Sequence, residues 1–195
     1  MSFINYASKE INCKIVYYGA GLSGKTTNVQ YIYENTRNEE RGKLVSLSTE
    51  NERTLFFDFL PLDVGEVHGY RTRFHVYSIP GQTFYEVSRQ FLLKGVDGVV
   101  FVVDSQPERM EANLESFEEL EKSLERQGYD FSRLPMVIQY NKRDLPGAVP
   151  VSELEATFNV ARRPHFEAMA SRGDGVMETL QCISQLIIRE LKGGK

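Results

Sequence analysis

The chain has 195 residues, of which 41% are hydrophobic and 26% charged, and its formal net charge is −4. This size favours a single domain covering residues 1–195, and the net negative charge argues against nucleic acid as the main partner. No apolar run approaches the roughly 18 residues of a membrane span. We expect no direct membrane anchor, because Ser2 follows Met1 where an acylated glycine would stand and no cysteine lies near residue 195.

The two cysteines fall in apolar segments of different periodicity. Cys13 lies in a strand-like run and Cys182 in a helix-like one. Because apolar surroundings suit a reduced core thiol, we predict no disulfide and a location in the cytoplasm.

In chain order, short apolar runs alternate with helical stretches, which predicts a sheet covered by helices on both faces. Residues 13–18 predict the first strand. Residues 27–33 predict a helix, since Val29, Ile32 and Tyr33 have helical spacing.

The next two predicted strands form a hairpin. Residues 55–60 and 70–77 are rich in aromatic and β-branched residues. The connection between them, with Asp63, Gly65 and Gly69, predicts a turn. So short a connection implies antiparallel pairing inside an otherwise parallel sheet.

The carboxyl-terminal half continues the alternation. Residues 98–104 are continuously apolar up to Asp104, as in a strand buried on both faces. The following helix is predicted with Ser105 as its cap and Gly128 just after its end. The remaining elements are a strand at 135–140, a helix at 151–158, a short strand around Phe166 and a last helix from Val176 to Leu191.

Residues 19–26 match the phosphate-loop pattern GxxxxGK[ST], with a predicted strand before the loop and a helix after it. Glycines let consecutive backbone N–H groups turn inward toward a phosphate, and the helix adds its positive dipole end. Lys25 is expected to reach the β- and γ-phosphates, and the Thr26 hydroxyl to bind Mg²⁺. The predicted GTP-binding residues of this segment are Gly19, Ala20, Gly21, Leu22, Ser23, Gly24, Lys25, Thr26 and Thr27.

A second motif, NKxD at residues 141–144, follows the strand at 135–140. The Asp144 carboxylate can accept hydrogen bonds from N1 and from the exocyclic amino group of guanine, a pair of donors that adenine lacks. The Lys142 stem can lie along the purine face, and Asn141 can tie this loop to the phosphate loop. The Ala170 N–H could meet guanine O6.

The chain resembles the Ras-like small GTPases through GAGLSGKT, PGQ at 80–82, NKRD at 141–144 and EAMAS at 167–171. Within them it resembles the bacterial polarity GTPases, through INCKIVYYG, ERTLFFDFLPLD, TRFHVYSIPGQTFY and VIQYNKRDLP. The resemblance implies a Ras-like P-loop NTPase fold of the α/β class. Its sheet would have six mostly parallel strands, one antiparallel hairpin and helices on both faces.

The resemblance also implies a function. The protein would be a molecular switch that binds GTP and GDP with Mg²⁺, hydrolyses GTP slowly without help and recruits partners in the GTP state. A roadblock-fold GTPase-activating protein and polarity or motility effectors are the implied partners. Localisation would be cytoplasmic, with recruitment to a cell pole through such partners.

The candidate catalytic residues are Gln82, which could orient the attacking water, and Arg53, which could supply an arginine finger in cis. Gly81 would contact the γ-phosphate through its N–H. Thr54 would bind Mg²⁺ and γ-phosphate, and Thr49 is the alternative for that role. A surface position is the alternative for Gln82 and Arg53.

One position departs from the family. Small GTPases usually have an aspartate three residues before Gly81, in a DxxG motif, but this chain has Ser78 there. A serine can hold a magnesium-bound water but brings no charge. Asp58 on the neighbouring strand could support the metal, or it could be a solvated strand carboxylate.

Two other functions are compatible with a phosphate loop. A guanine-nucleotide-bound scaffold that does not hydrolyse GTP would need Gln82 and Arg53 to be inert. A small nucleotide kinase would need an acceptor site and a lid, and the NKRD motif argues against it.

Overall fold

A computed structural model describes the backbone of residues 3–49, 52–67, 69–79 and 86–193. It describes the side chains of the same ranges except residues 3–4, 47–49, 52–56 and 86–89. The strands are β1 (Phe3–Asn5), β2 (Glu10–Tyr18), β3 (Val45–Thr49), β4 (Glu52–Val67), β5 (Tyr70–Ser78), β6 (Gly98–Asp104), β7 (Met136–Asn141) and β8 (His165–Glu167). The α-helices are α1 (Lys25–Asn35), α2 (Glu86–Leu93), α3 (Met110–Arg126), α4 (Val151–Phe158) and α5 (Val176–Gly193).

The strands form one sheet in the order β3-β4-β5-β2-β6-β7-β8, and β1 pairs with β2 beside this path. All pairs from β5 to β8 are parallel, whereas β4 is antiparallel to both β3 and β5. The predicted parallel sheet with an antiparallel hairpin is therefore confirmed. The predicted number of six strands was too low. The three-residue β1 is too short to show a period, and β3, whose sequence VSLST alternates apolar and polar residues, was not counted as a strand.

The hairpin turn is tighter than the sequence predicted. β4 continues to Val67, so Asp63 and Gly65 lie within the strand and only Gly69 is at the turn. The pairing register shifts between Asp63 and Glu66, as at a β-bulge, which absorbs the extra residues without ending the strand.

Two apolar cores lie on opposite faces of the sheet. One packs α1 and α5 against it, with Val29, Ile32, Ile183 and Ile187 buried. The other packs α2, α3 and α4, with Leu93, Leu120, Leu154 and Phe158 buried. The predicted helices on both faces are confirmed, and β6 and β7 between the cores are buried along their whole length.

The predicted cap of α3 was wrong. A 3₁₀ turn at Pro107–Arg109 leads into the helix, and the Ser105 hydroxyl is buried with no hydrogen-bond partner recorded for it. The N–H of Gln106 instead donates to the Asp104 carboxylate at 3.2 Å. Cys13 and Cys182 do not form a disulfide in the structure. In the described part of the chain, no helix is long and apolar enough to cross a membrane.

Candidate nucleotide-binding site

The phosphate loop connects β2 to α1, and two of its glycines are required by close contacts. Gly19 has φ 145°, and a Cβ there would collide with the Val102 carbonyl oxygen of β6. Gly24 has φ 99°, and a Cβ there would collide with the side-chain amide of Asn141. A side chain at either position would push the loop away from its neighbours.

Lys25 places its ammonium group against the loop. The side chain is 6% exposed, and Nζ donates to the carbonyl oxygens of Gly19 at 2.9 Å and Ala20 at 2.7 Å. It lies in the first turn of α1, whose N-terminus carries a partial positive charge. The loop therefore concentrates positive charge where phosphate oxygens would bind.

Asn141, the last residue of β7, connects the NKRD turn to the phosphate loop, as the sequence predicted, and also to the loop that carries Ala170. Its Nδ2 donates to the Ser23 carbonyl of the phosphate loop at 2.8 Å, and its Oδ1 accepts from the Ala170 N–H at 3.0 Å. Lys142 has a φ of 66°, a conformation that non-glycine residues adopt rarely. Asp144 is solvent-exposed in the same turn. The NKRD segment thus lies beside the phosphate loop.

The Ala170 N–H is already used within the protein. Because it donates to Asn141 Oδ1, a contact with guanine O6 would have to share or replace this bond. The sequence does not predict this competition, because it depends on where the Asn141 amide points.

Sequence reasoning also missed Asp104 and Arg109. Asp104 ends β6 and is fully buried, and its Oδ2 lies 2.5 Å from Lys142 Nζ. Arg109 Nη2 donates to the Gly21 carbonyl of the phosphate loop at 2.7 Å. A signal was present, because a charged residue ending a fully apolar central strand indicates a polar site at that edge.

A pair of buried side-chain amides connects α1 to β7 behind the phosphate loop. Asn28 on α1 and Gln139 on β7 exchange two hydrogen bonds of 2.9 Å. Asn28 also donates to the Gly24 carbonyl, and Gln139 donates to Thr179 on α5. A fully satisfied network of this kind fixes the orientation of its members. It couples the phosphate-loop helix to the strand that presents NKRD.

The residues beside the phosphate loop fit a magnesium ion. Thr26 Oγ1 lies 3.4 Å from Ser78 Oγ, and the Ser78 hydroxyl donates to Asp58 at 2.5 Å. Hydroxyl and carboxylate oxygens are the ligands that this hard cation prefers. No cluster of three or more His, Cys, Asp or Glu residues occurs within the described ranges. The oxygen atoms of Thr26, Ser78 and Asp58 therefore suit a cation whose other ligands are phosphate oxygens and water.

Several predicted site residues lie outside the described residues. These are Gly81 and Gln82 entirely, and Thr49, Arg53 and Thr54 in their side chains. The backbone of Arg53 and Thr54 belongs to β4 and precedes Asp58, the residue that pairs with Ser78 at the end of β5. Their proposed roles stay predictions.

Known proteins match this chain along its length. Residues 1–187 match the model of the ADP-ribosylation factor family. The chain is 62% identical over 194 residues to "Mutual gliding-motility protein MglA" of Myxococcus xanthus strain DK1622, with 100% of both chains covered. It is 26% identical over 188 residues to human "ADP-ribosylation factor-like protein 4C", covering 93% of this chain and 90% of the relative.

The fold and the paired loops define a small GTPase of the Ras-like class. The chain belongs to the ADP-ribosylation factor family, and it is a GTP-binding GTP hydrolase with a P-loop NTPase fold. One relative that it matches from end to end is the gliding-motility protein MglA of M. xanthus. Members of this class use Mg²⁺ with the bound nucleotide.

Proposed function

We propose that this protein is a GTP-dependent switch that controls cell polarity and surface motility. The observation that carries the guanine-nucleotide part is the Asn141 side chain, which holds the phosphate loop and the NKRD turn together through one amide. The cellular part rests on the 62% identity to the M. xanthus gliding-motility protein.

In this proposal each group of site residues has a separate chemical role. Lys25 and the loop N–H groups bind phosphate, Asp144 selects guanine, and Thr26 with Thr54 holds Mg²⁺. Gln82 orients the attacking water, and Arg53 stabilises the charge that develops in the transition state. Hydrolysis then releases the segments around Thr54 and Gln82, which changes partner binding.

The proposed partners follow from the resemblance to MglA. They are a roadblock-fold GTPase-activating protein of the MglB type, which pushes Arg53 and Gln82 into place, and effectors of polarity or motility. We propose a cytoplasmic protein that reaches a pole by binding these partners and not by binding lipid directly. Purified protein should therefore not bind anionic liposomes at physiological salt.

Guanine selection can be tested at Asp144. Asp144→Asn should weaken GTP binding by about 1.5–3 kcal/mol, since a hydrogen bond to a charged group is replaced by one to a neutral amide. Competition against a fluorescent guanine nucleotide measures this, with Asp130→Asn, an exposed carboxyl on another loop, as the control. Equal competition by ATP and GTP in the unmodified protein would refute the assignment of guanine.

Catalysis can be tested in single-turnover GTP hydrolysis with an MglB-type partner. Gln82→Leu should abolish hydrolysis with little change in GTP affinity. Arg53→Ala should lower the stimulated rate by about 10³–10⁵-fold, the range for arginine fingers, or roughly 4–7 kcal/mol. If the rate survives Arg53→Ala but collapses when a partner arginine is replaced, the finger comes from the partner. If hydrolysis is absent in every arm, the protein is a nucleotide-bound scaffold.

A further inference from the structure

Asp58 and Ser78 are directly opposite each other in the antiparallel pairing of β4 with β5. Along β4, Asp58 is in phase with the buried Leu60, and along β5, Ser78 is in phase with the buried Val76. Because side chains alternate between faces of a strand, both polar residues point to the face that packs against α1. The first turn of α1 carries Thr26.

The three side chains form a hydrogen-bonded row. The Ser78 hydroxyl donates its proton to Asp58 Oδ2 at 2.5 Å, so its lone pairs are left for another donor. Thr26 Oγ1 lies 3.4 Å from Ser78 Oγ. A Thr26 hydroxyl that offers a lone pair to a metal ion can at the same time donate its proton to Ser78.

Asp58 is a buried carboxylate with hydroxyl partners. It is 1% exposed, and its recorded hydrogen bonds are to Ser46 and Ser78. Within the described ranges no lysine or arginine forms an ion pair with it. A charge removed from water is costly unless a counter-charge or strong hydrogen bonds compensate it. A divalent cation at Thr26 would supply that counter-charge.

We propose that Asp58 replaces the aspartate that the DxxG position lacks, and acts as a positioning residue that delivers negative charge to Mg²⁺ through Ser78 and Thr26. The carboxylate lies on the neighbouring strand, and the hydroxyls of Ser78 and Thr26 lie between it and the proposed metal position. This inference rests on the proposed guanine-nucleotide site and assigns it a residue outside the family motif.

The test measures metal dependence without hydrolysis. Dissociation of a fluorescent GDP analogue is followed over a series of buffered free Mg²⁺ concentrations, which gives the Mg²⁺ concentration at which release is half suppressed. Asp58→Asn keeps the shape and an oxygen that can accept from Ser78 but removes the charge. Its half-suppression concentration should rise by about 10–100-fold, the usual effect of losing an outer-shell partner. Release in EDTA should stay as in the unmodified protein.

Two further variants test the route of the effect. Ser78→Ala should raise the half-suppression concentration similarly, and the double variant should be no worse than either single one, because both break one relay. Ser46→Ala removes the other hydroxyl on the same carboxylate. Because Ser46 does not lie between Asp58 and Thr26, this variant should stay within about twofold of the unmodified protein, the negative charge of Asp58 being retained. Combining Asp58→Asn with Ser78→Asp should restore tighter Mg²⁺ dependence.

The outcomes separate this inference from the proposed function. Equal half-suppression concentrations for the unmodified protein and Asp58→Asn would overturn the inference alone. Faster release in EDTA, with an unchanged Mg²⁺ dependence, would also overturn it, because Asp58 would then support the loop and not the metal. Absence of GDP binding in the unmodified protein would overturn both. If Asp58→Asn fails to fold, Ser78→Ala against Ser46→Ala decides.

Discussion

At the scale of single residues, Asp104 links the NKRD turn to the phosphate loop through two basic side chains. Its Oδ2 lies 2.5 Å from Lys142 Nζ and 3.9 Å from Arg109 Nε, and Arg109 in turn binds the Gly21 carbonyl. The Lys142 ammonium is thus held at the end of β6. In the proposed site, Asp104 would orient the Lys142 stem against which a purine would lie.

We predict that Asp104→Asn speeds GDP release by about tenfold or more, because a charge-assisted hydrogen bond to Lys142, worth about 1.5–3 kcal/mol, is weakened. Preference for guanine over adenine should remain, since Asp144 is untouched. Release of a fluorescent GDP analogue measures the rate, and Glu118→Gln, which alters an exposed pair with Lys122, is the control. Loss of guanine preference without faster release would contradict this orienting role.

At the scale of elements, the contact between β6 and α5 is limited by a glycine. A Cβ on Gly98 would lie 2.7 Å from Ile187 Cδ1 and 2.9 Å from Ile183 Cδ1, and both isoleucines are buried. The close approach of α5 to the sheet thus depends on a missing side chain. This contact holds α5 in place, and the loop that precedes α5 carries Ala170.

We predict that Gly98→Ala lowers the free energy of unfolding by about 1–2 kcal/mol. Overpacking costs about 1–3 kcal/mol, whereas the reduced freedom of the unfolded chain returns about 0.4–1 kcal/mol. Urea unfolding measures the change. Ile187→Val removes the nearest methyl group, so adding it to Gly98→Ala should cost less than the sum of the single changes. Strict additivity would show that Ile187 is not the obstacle.

At the scale of the whole molecule, stability should depend on pH through His75 on β5. Burial lowers the pKa of this half-buried imidazole, and the positive charges of Arg73 and Lys14 lower it further. The folded protein therefore disfavours the protonated form. The unfolded chain takes up the proton at about pH 6.5, so stability is complete above that pH and falls as the pH drops toward the lower folded pKa.

We predict that His75→Gln flattens this decline. The free energy of unfolding, measured in urea between pH 7.5 and 5, should fall less steeply in the variant than in the unmodified protein. Parallel curves would assign the pH dependence to other groups. Staying above pH 5 keeps most carboxyl titration out of the comparison.

The sequence by itself determined the features that local chemistry fixes. The phosphate loop and NKRD are contiguous motifs, and apolar periodicity located the helices α3, α4 and α5 and the strands β6 and β7. The strands β1 and β3 were not predicted. β1 has three residues, too few to show a period, whereas the five residues of β3 do alternate apolar and polar side chains, a signal that could have located it.

Only the tertiary structure decided which distant side chains meet. Asp58 and Ser78 are 20 positions apart, Arg109 and Gly21 are 88 apart, and Asn28 and Gln139 are 111 apart. Whether Asp58 is a solvated carboxylate or a partner of Ser78 depends on the register of β4 against β5. A shift of one residue would turn Asp58 to the other face. Register and strand order are set by the packing of the whole sheet. No local pattern could therefore decide whether Asp58 faces solvent or Ser78.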